Sequence, residues 1–489
     1  MLIFFDFGRI FSYNEAMEKD QKNKFTGKIS LVIILLFAGF LALKLAFGFS
    51  LVLYLPLAIC GLIMSIMVPA AGLTACLVLT IIFANYFSLQ GIEIDKDLYK
   101  FYLPDILLMG SYIGLWARLA EGQIKLRWRW PETLLTVFIL LTFVYFIFSI
   151  TVLNGEFAAA FSSFKNYAFY PLIYFAVYLS FTSKASLKQL AYFAFGGCLM
   201  VVYFIAYGIF AGKGLWTDIT PLTTSGNRLL DFDHAFYLSL ANIAGISYLV
   251  FGRQADWKKA WSWLLPIFLF GVVGSLMRHL WVAGLCSLLF MFALPLVRRR
   301  PDAKKVFANY LVSGAAVVMI ILLLVNLFPD LSVSRKMSEV KDQTVERIFS
   351  LANSQDTSFT WRSSVWESAW WQYRNNLFSG IGFGRKVFVE MPDYLDYVEV
   401  RNVHNSFLAI AVQMGLISFA ILAAFLLWQF AGAIKRLKDW PIVNVALASM
   451  MLFCFIAFLF QPYLEANFFN IVFWVLLGLS RRTYEGLTS

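Results

Sequence analysis

The sequence predicts an all-α fold: a polytopic bundle of transmembrane helices with one large loop outside the membrane. Three observations carry that reading. Hydrophobic residues make up 60% of the 489-residue chain and charged residues only 14%, against about a quarter charged in soluble domains. Apolar runs of about 20 residues, long enough to cross a hydrocarbon core, recur from end to end. No alternating ten-residue barrel pattern is present, so helices must satisfy the backbone polar groups internally.

Hydropathy divides the chain into about fourteen spans. They cover residues 29–47, 49–67, 70–88, 101–118, 132–153, 166–182, 188–211, 234–251, 258–275, 279–297, 306–328, 404–432, 440–461 and 467–480. Four regions follow: a leader at 1–28, transmembrane helices 1–11 within 29–328, a large loop at 329–403, and helices 12–14 with the C-terminal tail at 404–489. The leader carries Lys19, Lys22, Lys24 and Lys28 and reads as a polar segment rather than a cleavable signal.

Charge sets the orientation. The net charge is +11, which in a soluble protein would raise nucleic acid as a partner. In a membrane it marks cytoplasmic loops and contacts with anionic lipid, so no nucleic acid is expected. With the N-terminus inside, basic residues gather in alternate connections: Arg118 to Arg129, Lys184 and Lys188, Arg253 to Lys259, Arg298 to Lys305, Lys435 to Lys438, and Arg481 with Arg482. The short connections on the other side hold few. Both termini are therefore expected in the cytoplasm, and the 329–403 loop outside. The five cysteines all fall in apolar segments without metal-ligand or CxxC spacing and read as small core residues.

The outer loop is far longer than an ordinary helix connection, and such loops are usually functional. In its middle, Trp366, Trp370, Trp371 and Phe378 recur near helical spacing, with Asn375, Asn376 and Gly380 as a stop. An amphipathic helix is expected over about 360–374, near the outer membrane surface. Packing over the bundle is an equally good account of that aromatic stripe.

The chain has three histidines, His234, His279 and His404, all at the outer ends of predicted spans. His404 stands where the long loop returns to the membrane, beside Asn405, whose amide could orient a ring or a ligand. Histidine is the natural base near neutral pH. His234 and His279 read better as interfacial hydrogen-bonding groups. Two arginines share the predicted outer face: Arg228 in "TTSGNRLLDFDH" and Arg278 in "GSLMRHLW". The positive-inside rule disfavours them there. Pairing of Arg228 with Asp231 or Asp233, or snorkelling to lipid phosphate, would explain them. Recognition of a diphosphate by planar guanidinium forks would explain them too. There is no P-loop, HExxH or GxSxG motif and no specific metal-site pattern, so no cofactor and no metal are expected.

At this point the residues resemble a known family. His404–Asn405, followed by an apolar span with Gly415 and Ser418, is similar to the "HN…G" segment of the O-antigen ligase and O-antigen polymerase superfamily. The stretch from Arg362 through Trp366 to "NNLFSGIGFG" resembles the loop before that histidine, and "GSLMRHLW" resembles its "S-x-x-R" motif. Arg228 falls where a further arginine is expected. The resemblance covers roughly residues 225–430. It implies a GT-C-like membrane glycosyltransferase of the bacterial inner membrane, active at its periplasmic face in lipopolysaccharide or other polysaccharide biosynthesis. It implies an undecaprenyl-diphosphate-linked glycan donor and a glycan or lipid-linked acceptor. His404 would activate the acceptor hydroxyl and Arg228 and Arg278 would hold the diphosphate, with Asn405, Arg362 and Arg401 in support. Ser418 departs from the ligase pattern, which often has Gly, Thr or Tyr there, so polymerase and ligase both stay open.

The chemistry is coherent without the name. A sugar on a diphosphate is already activated. The protein must add a base, worth about 10²–10⁴-fold, and positive charge for the leaving group, worth about 3–4 kcal/mol per positioned donor. In-line attack would invert the anomeric centre. Two other classes remain: a lipid-linked oligosaccharide flippase, and an assembly protein without an active site. A flippase predicts internal repeats and charges deep in the spans. No repeat is evident, and Asp105 is the one acidic residue clearly inside a predicted span.

Overall fold

The computed structural model describes residues 19–94, 97–99, 101–211, 228–327, 335, 338, 340–345, 357–390 and 395–485. Most of the leader and parts of the 329–403 loop lie outside the described residues. The elements run α1 (Lys19–Phe47), α2 (Leu51–Met67), α3 (Pro69–Phe83), α4 (Asn85–Ser88), β1 (Ile92–Ile94), β2 (Asp97–Tyr99), α5 (Leu103–Ala120), α6 (Trp130–Thr151), α7 (Phe157–Phe164), a π-turn (Lys165–Phe169), α8 (Leu172–Ser180) and α9 (Lys184–Ala211). After residue 228 come α10 (Phe232–Phe251), α11 (Ala255–Gly274), α12 (Arg278–Ala293), α13 (Pro295–Arg298), α14 (Pro301–Leu327), α15 (Thr357–Asn375), β3 (Lys386–Glu390), β4 (Leu395–Glu399), α16 (Ser406–Lys435), α17 (Pro441–Phe458) and α18 (Asn467–Glu485). Short 3₁₀ turns at Val400–Asn402 and Tyr463–Glu465 precede α16 and α18.

Every predicted span coincides with a helix or a run of helices. Among the described residues, six helical stretches are long and apolar enough to cross a membrane: Gln21–Phe47, Trp130–Thr151, Lys184–Tyr207, Phe232–Phe251, Ser406–Lys435 and Pro441–Phe458. The apolar helices α2, α3 and α12 are shorter. Large apolar side chains point outward, such as Leu140 of α6 at 60% exposure, Val312 of α14 at 67% and Leu427 of α16 at 64%. A protein surrounded by water rarely exposes so much apolar surface, whereas acyl chains solvate it. The chain is a helical membrane protein.

The chain divides into two compact units. The first comprises residues 1–127, 172–200 and 485–489. Here α2 packs on α5, and α3 packs on α1 and α5. The α2–α5 crossing is close because α5 presents Gly110 and Gly114. A Cβ on either would stand 2.6 Å from the Leu62 carbonyl oxygen or 2.2 Å from that of Ile66. Small residues four apart bring helix backbones together where no hydrophobic force separates protein from lipid.

The second unit comprises residues 128–171 and 201–484. Helix α10 packs on α11 and α17, α12 on α17, and α16 on α6 and α17. At one end of α6, Glu132 receives Arg481 of α18 through Nε at 2.5 Å and Nη2 at 3.3 Å, with both side chains fully buried. Sequence reasoning placed this glutamate at the start of a span and the arginine in a cytoplasmic tail, and did not pair them.

Besides the short β1–β2 pair of the first unit, two features of the second unit depart from an all-helical expectation. Strands β3 and β4 pair antiparallel, Lys386 against Glu399 through Glu390 against Leu395, so the 329–403 loop contains a hairpin as well as a helix. The valine and aromatic residues of "KVFVE" and "LDYVE", which favour strands, carried that signal. Helix α16 is also broken at Gly415, whose φ of 73° and ψ of 179° are not helical. The chain at 377–382 fills the break: Ile381 N–H donates to Val412 O at 2.8 Å, Gly382 N–H to Gln413 O at 3.1 Å, and Leu416 N–H to Leu377 O at 2.7 Å. A side chain at 415 would collide with the Phe378 carbonyl oxygen, 2.2 Å from an ideal Cβ. The freed helix carbonyls thus find partners within the protein, as they must at membrane depth.

Candidate functional site

The site assembles in the second unit, where the described part of the 329–403 loop meets the start of α16. Helix α15 spans the range the aromatic spacing predicted, extended slightly at both ends. Its Val365, Ala369 and Tyr373 pack with Val387 and Val389 of β3, Val398 of β4, and Val403, Ala409 and Val412 at the start of α16. Packing therefore accounts for one face of this helix, while Trp370 and Trp371 remain exposed. Trp366 Nε1–H donates to Val403 O at 2.8 Å, which fixes the loop helix to the residue before His404.

His404 is half-buried, and its backbone φ of +55° lies in the left-handed region. A non-glycine residue there is strained, and such strain gathers at functional positions. Trp361 of α15 stands edge-on to the imidazole, with ring centroids 5.1 Å apart at 86°. Nδ1 of His404 is 2.8 Å from Oε1 of Gln461. Burial, with the Arg362 guanidinium nearby, pushes the imidazole down to about 4, against an upward pull from the Gln461 bond. The ring is therefore neutral near pH 7 and able to accept a proton.

Arg278 opens α12, and His279 follows it. The turn before them is tight: Leu276 has a φ of +59°, Met277 is the N-cap, and Trp281 Nε1–H donates back to Val272 O at 3.1 Å. Arg228 is brought to this turn from the other side. Leu229 N–H donates to Gly274 O at 3.0 Å, and Arg228 Nη1 lies 4.0 Å from Met277 Sδ. Buried His279 meets Tyr463 Oη at 2.5 Å through Nε2. It lies within electrostatic reach of Arg362, His404, Arg228 and Arg278 together. Residues spread from 228 to 404 in sequence thus share one neighbourhood. His234 sits apart as a core residue, 3.6 Å from Asp233 and packed against Phe204.

The remaining predicted residues take particular places. Asn405 spends its side-chain oxygen on the cap of α16, accepting from Phe407 N at 3.1 Å and Leu408 N at 3.0 Å. Arg401 pairs with Glu399 two residues back. Asp231 N-caps α10 at 2.7 Å. Burial and the neighbouring Asp233 raise its carboxyl to about 7, partly offset by the Phe232 N–H, His234 and Arg228. Among the described residues, no group of three or more His, Cys, Asp or Glu could hold a metal ion.

Sequence reasoning missed the turn between α17 and α18, "QPYLEA". It supplies Gln461 to His404, Tyr463 to His279, and Glu465 to a buried network. Glu465 accepts from Tyr167 Oη at 2.5 Å, Gln413 Nε2 at 2.7 Å and Ser163 Oγ at 3.3 Å. Burial still holds its carboxyl above the usual range. Three polar side chains in a six-residue connection between apolar spans were the available signal.

Residues 263–423 match the family model described as O-Antigen ligase. This stretch is similar to the O-antigen ligase family. The match confirms the resemblance to the O-antigen ligase and polymerase superfamily drawn from the motifs. The matched stretch contains Arg278, His279, Arg362, Arg401, His404, Asn405 and the break at Gly415. Arg228 and the Gln461–Glu465 turn lie outside the matched residues and reach that stretch through the fold. A search of curated proteins gave no match to the chain.

Proposed function

We propose that the protein is an inverting glycosyltransferase that takes glycan from an undecaprenyl-diphosphate donor and joins it to an acceptor sugar hydroxyl at the periplasmic face. It acts as an O-antigen or exopolysaccharide polymerase or as an O-antigen ligase. The match to the ligase family and the helical membrane character support this class of reaction. The single observation that carries the residue roles is the gathering of Arg228, Arg278, Arg362 and His404 around His279. Guanidinium forks suit a diphosphate, and a neutral imidazole suits a hydroxyl proton.

In the proposed step the acceptor oxygen bonds to the anomeric carbon as the bond from that carbon to the diphosphate oxygen breaks. The acceptor proton passes to His404, and the bonding pair leaves with the diphosphate. Arg228 and Arg278 stabilise the departing charge, with Arg362 beside them. No metal is needed for this step. The proposed frame is GT-C-like, with about fourteen crossings and both termini in the cytoplasm, as the positive-inside rule orients it.

Reconstitution with a defined undecaprenyl-diphosphate glycan tests this reading and separates its two forms. Lengthening of lipid-linked chains marks a polymerase, and movement to a lipid A-core acceptor marks a ligase. His404→Ala is expected to lose about 10²–10⁴-fold in rate while still inserting and purifying as a folded protein. Full activity of that variant would remove the base assignment.

A further inference from the structure

His404 has two ring nitrogens, and the fold treats them differently. Nδ1 is occupied by the Gln461 side chain at 2.8 Å, so Nε2 is the nitrogen left to meet a substrate. An imidazole nitrogen can accept a proton only when the other nitrogen carries the hydrogen. For Nε2 to act, Nδ1 must be N–H, and the group facing it must accept. Oε1 of Gln461, the atom that faces Nδ1, can do so.

The distance between the two residues is set by several bonds rather than by one flexible side chain. Ser406, two residues after His404, donates to the Gln461 backbone oxygen at 2.9 Å and accepts from Leu464 N–H at 3.1 Å. The first turn of α16 is thereby tied to the 461–464 turn at the glutamine's own carbonyl and three residues beyond it. Asn405 caps the same helix end, and Trp361 closes over the ring edge. Glu465, four residues after Gln461, anchors the turn to Tyr167 and Gln413. Among the described residues, the charged and titratable groups around the ring are Arg362 from α15, His279 from α12 and, beyond it, Arg228 and Arg278. None of these can accept a hydrogen from Nδ1 in place of Gln461: three are guanidinium groups, and His279 is bonded to Tyr463.

We propose that Gln461 is a positioning residue for the transfer reaction, fixing His404 as the Nδ1–H tautomer so that Nε2 receives the acceptor proton. This rests on the reading of His404 as the base. Gln461 touches neither reacting sugar. It acts as outer partners of functional histidines do, by holding ring orientation and tautomer.

The test uses the full chain in detergent or nanodiscs. Labelling with ¹⁵N-histidine gives signals from three residues, and His404→Gln assigns one of them. The expected result is a protonated Nδ1 and a pyridine-type Nε2 at position 404, lost or mixed in Gln461→Leu. In the transfer assay Gln461→Leu is expected to lower kcat about 10- to 100-fold with the donor KM unchanged. Gln461→Glu keeps an acceptor and adds a negative charge. It should retain more of the rate than the leucine variant and move the acid limb of the pH profile up by about one to three units. An Nε2–H tautomer in the wild type would overturn the proposal. An unchanged tautomer and kcat in Gln461→Leu would overturn it too, even with His404→Gln inactive. Full activity of His404→Gln would instead sink the base assignment itself, a distinct result.

Discussion

Two glutamates of the second unit, Glu132 fully buried and Glu465 half-buried, are satisfied by opposite means. Glu132 faces the guanidinium of Arg481, charge against charge. Glu465 faces two hydroxyls and an amide, all neutral donors. The first arrangement closes on itself: each ion is the other's counter-charge, and the pair fastens α6 to α18 out of contact with solvent. The second leaves a carboxyl whose ionisation is disfavoured by burial, and it holds a turn whose other side chains reach two histidines. A buried ion pair is a fastener. A carboxyl among neutral donors is a support for something else.

Variants can break that contrast. Glu132→Ala strands a buried arginine and is expected to cost about 3–5 kcal/mol of stability, read by thermal unfolding in detergent. Surviving protein should keep the wild-type KM, and a selective loss of transfer would erase the distinction. Arg278→Ala should lower kcat/KM for the diphosphate donor by about 10²–10³-fold with little change in melting. Arg278→Lys should recover only part, since an ammonium lacks the planar fork. Donor kinetics unchanged in both would favour lipid snorkelling. Glu465→Leu removes the acceptor shared by the Tyr167 hydroxyl and the Gln413 amide. It should cost about 1–3 kcal/mol and also depress kcat through the displaced turn, and stability loss alone would make Glu465 another fastener. Asn405→Ala removes a helix cap and should cost about 1 kcal/mol, visible as a small fall in melting temperature. The pH profile sharpens the picture without mutation. Burial and Arg362 lower the His404 imidazole to about 4, so the protonated, inactive form appears only as pH falls through that value. The acid limb of kcat/KM is expected near pH 4, and a limb near 6.5 would mean an unperturbed histidine.

The sequence showed where the helices lie because lipid solvation is written locally, one apolar run at a time. It located Arg278 and His404 because each is a polar residue at the edge of such a run. It did not show the break at Gly415, which needs the 377–382 segment to be seen beside it, nor the pairing of Glu132 with Arg481, which lie far apart along the chain. Gln461 was hidden for another reason: it stands at the last position of a predicted span, where hydropathy averages it away. Asn405 was noticed for its chemistry, and the fold uses its side-chain oxygen for a cap. What escaped in each case was a contact between distant segments rather than a local preference.

The left-handed backbone at His404 has a consequence for anyone trying to make this protein sturdier. Glycine would relax that turn, and asparagine would tolerate it better than an imidazole-bearing residue does. Screening for heat resistance alone should therefore drift toward replacing His404, producing enzymes that endure and do nothing, a trade seen wherever a working residue sits in a conformation it does not prefer.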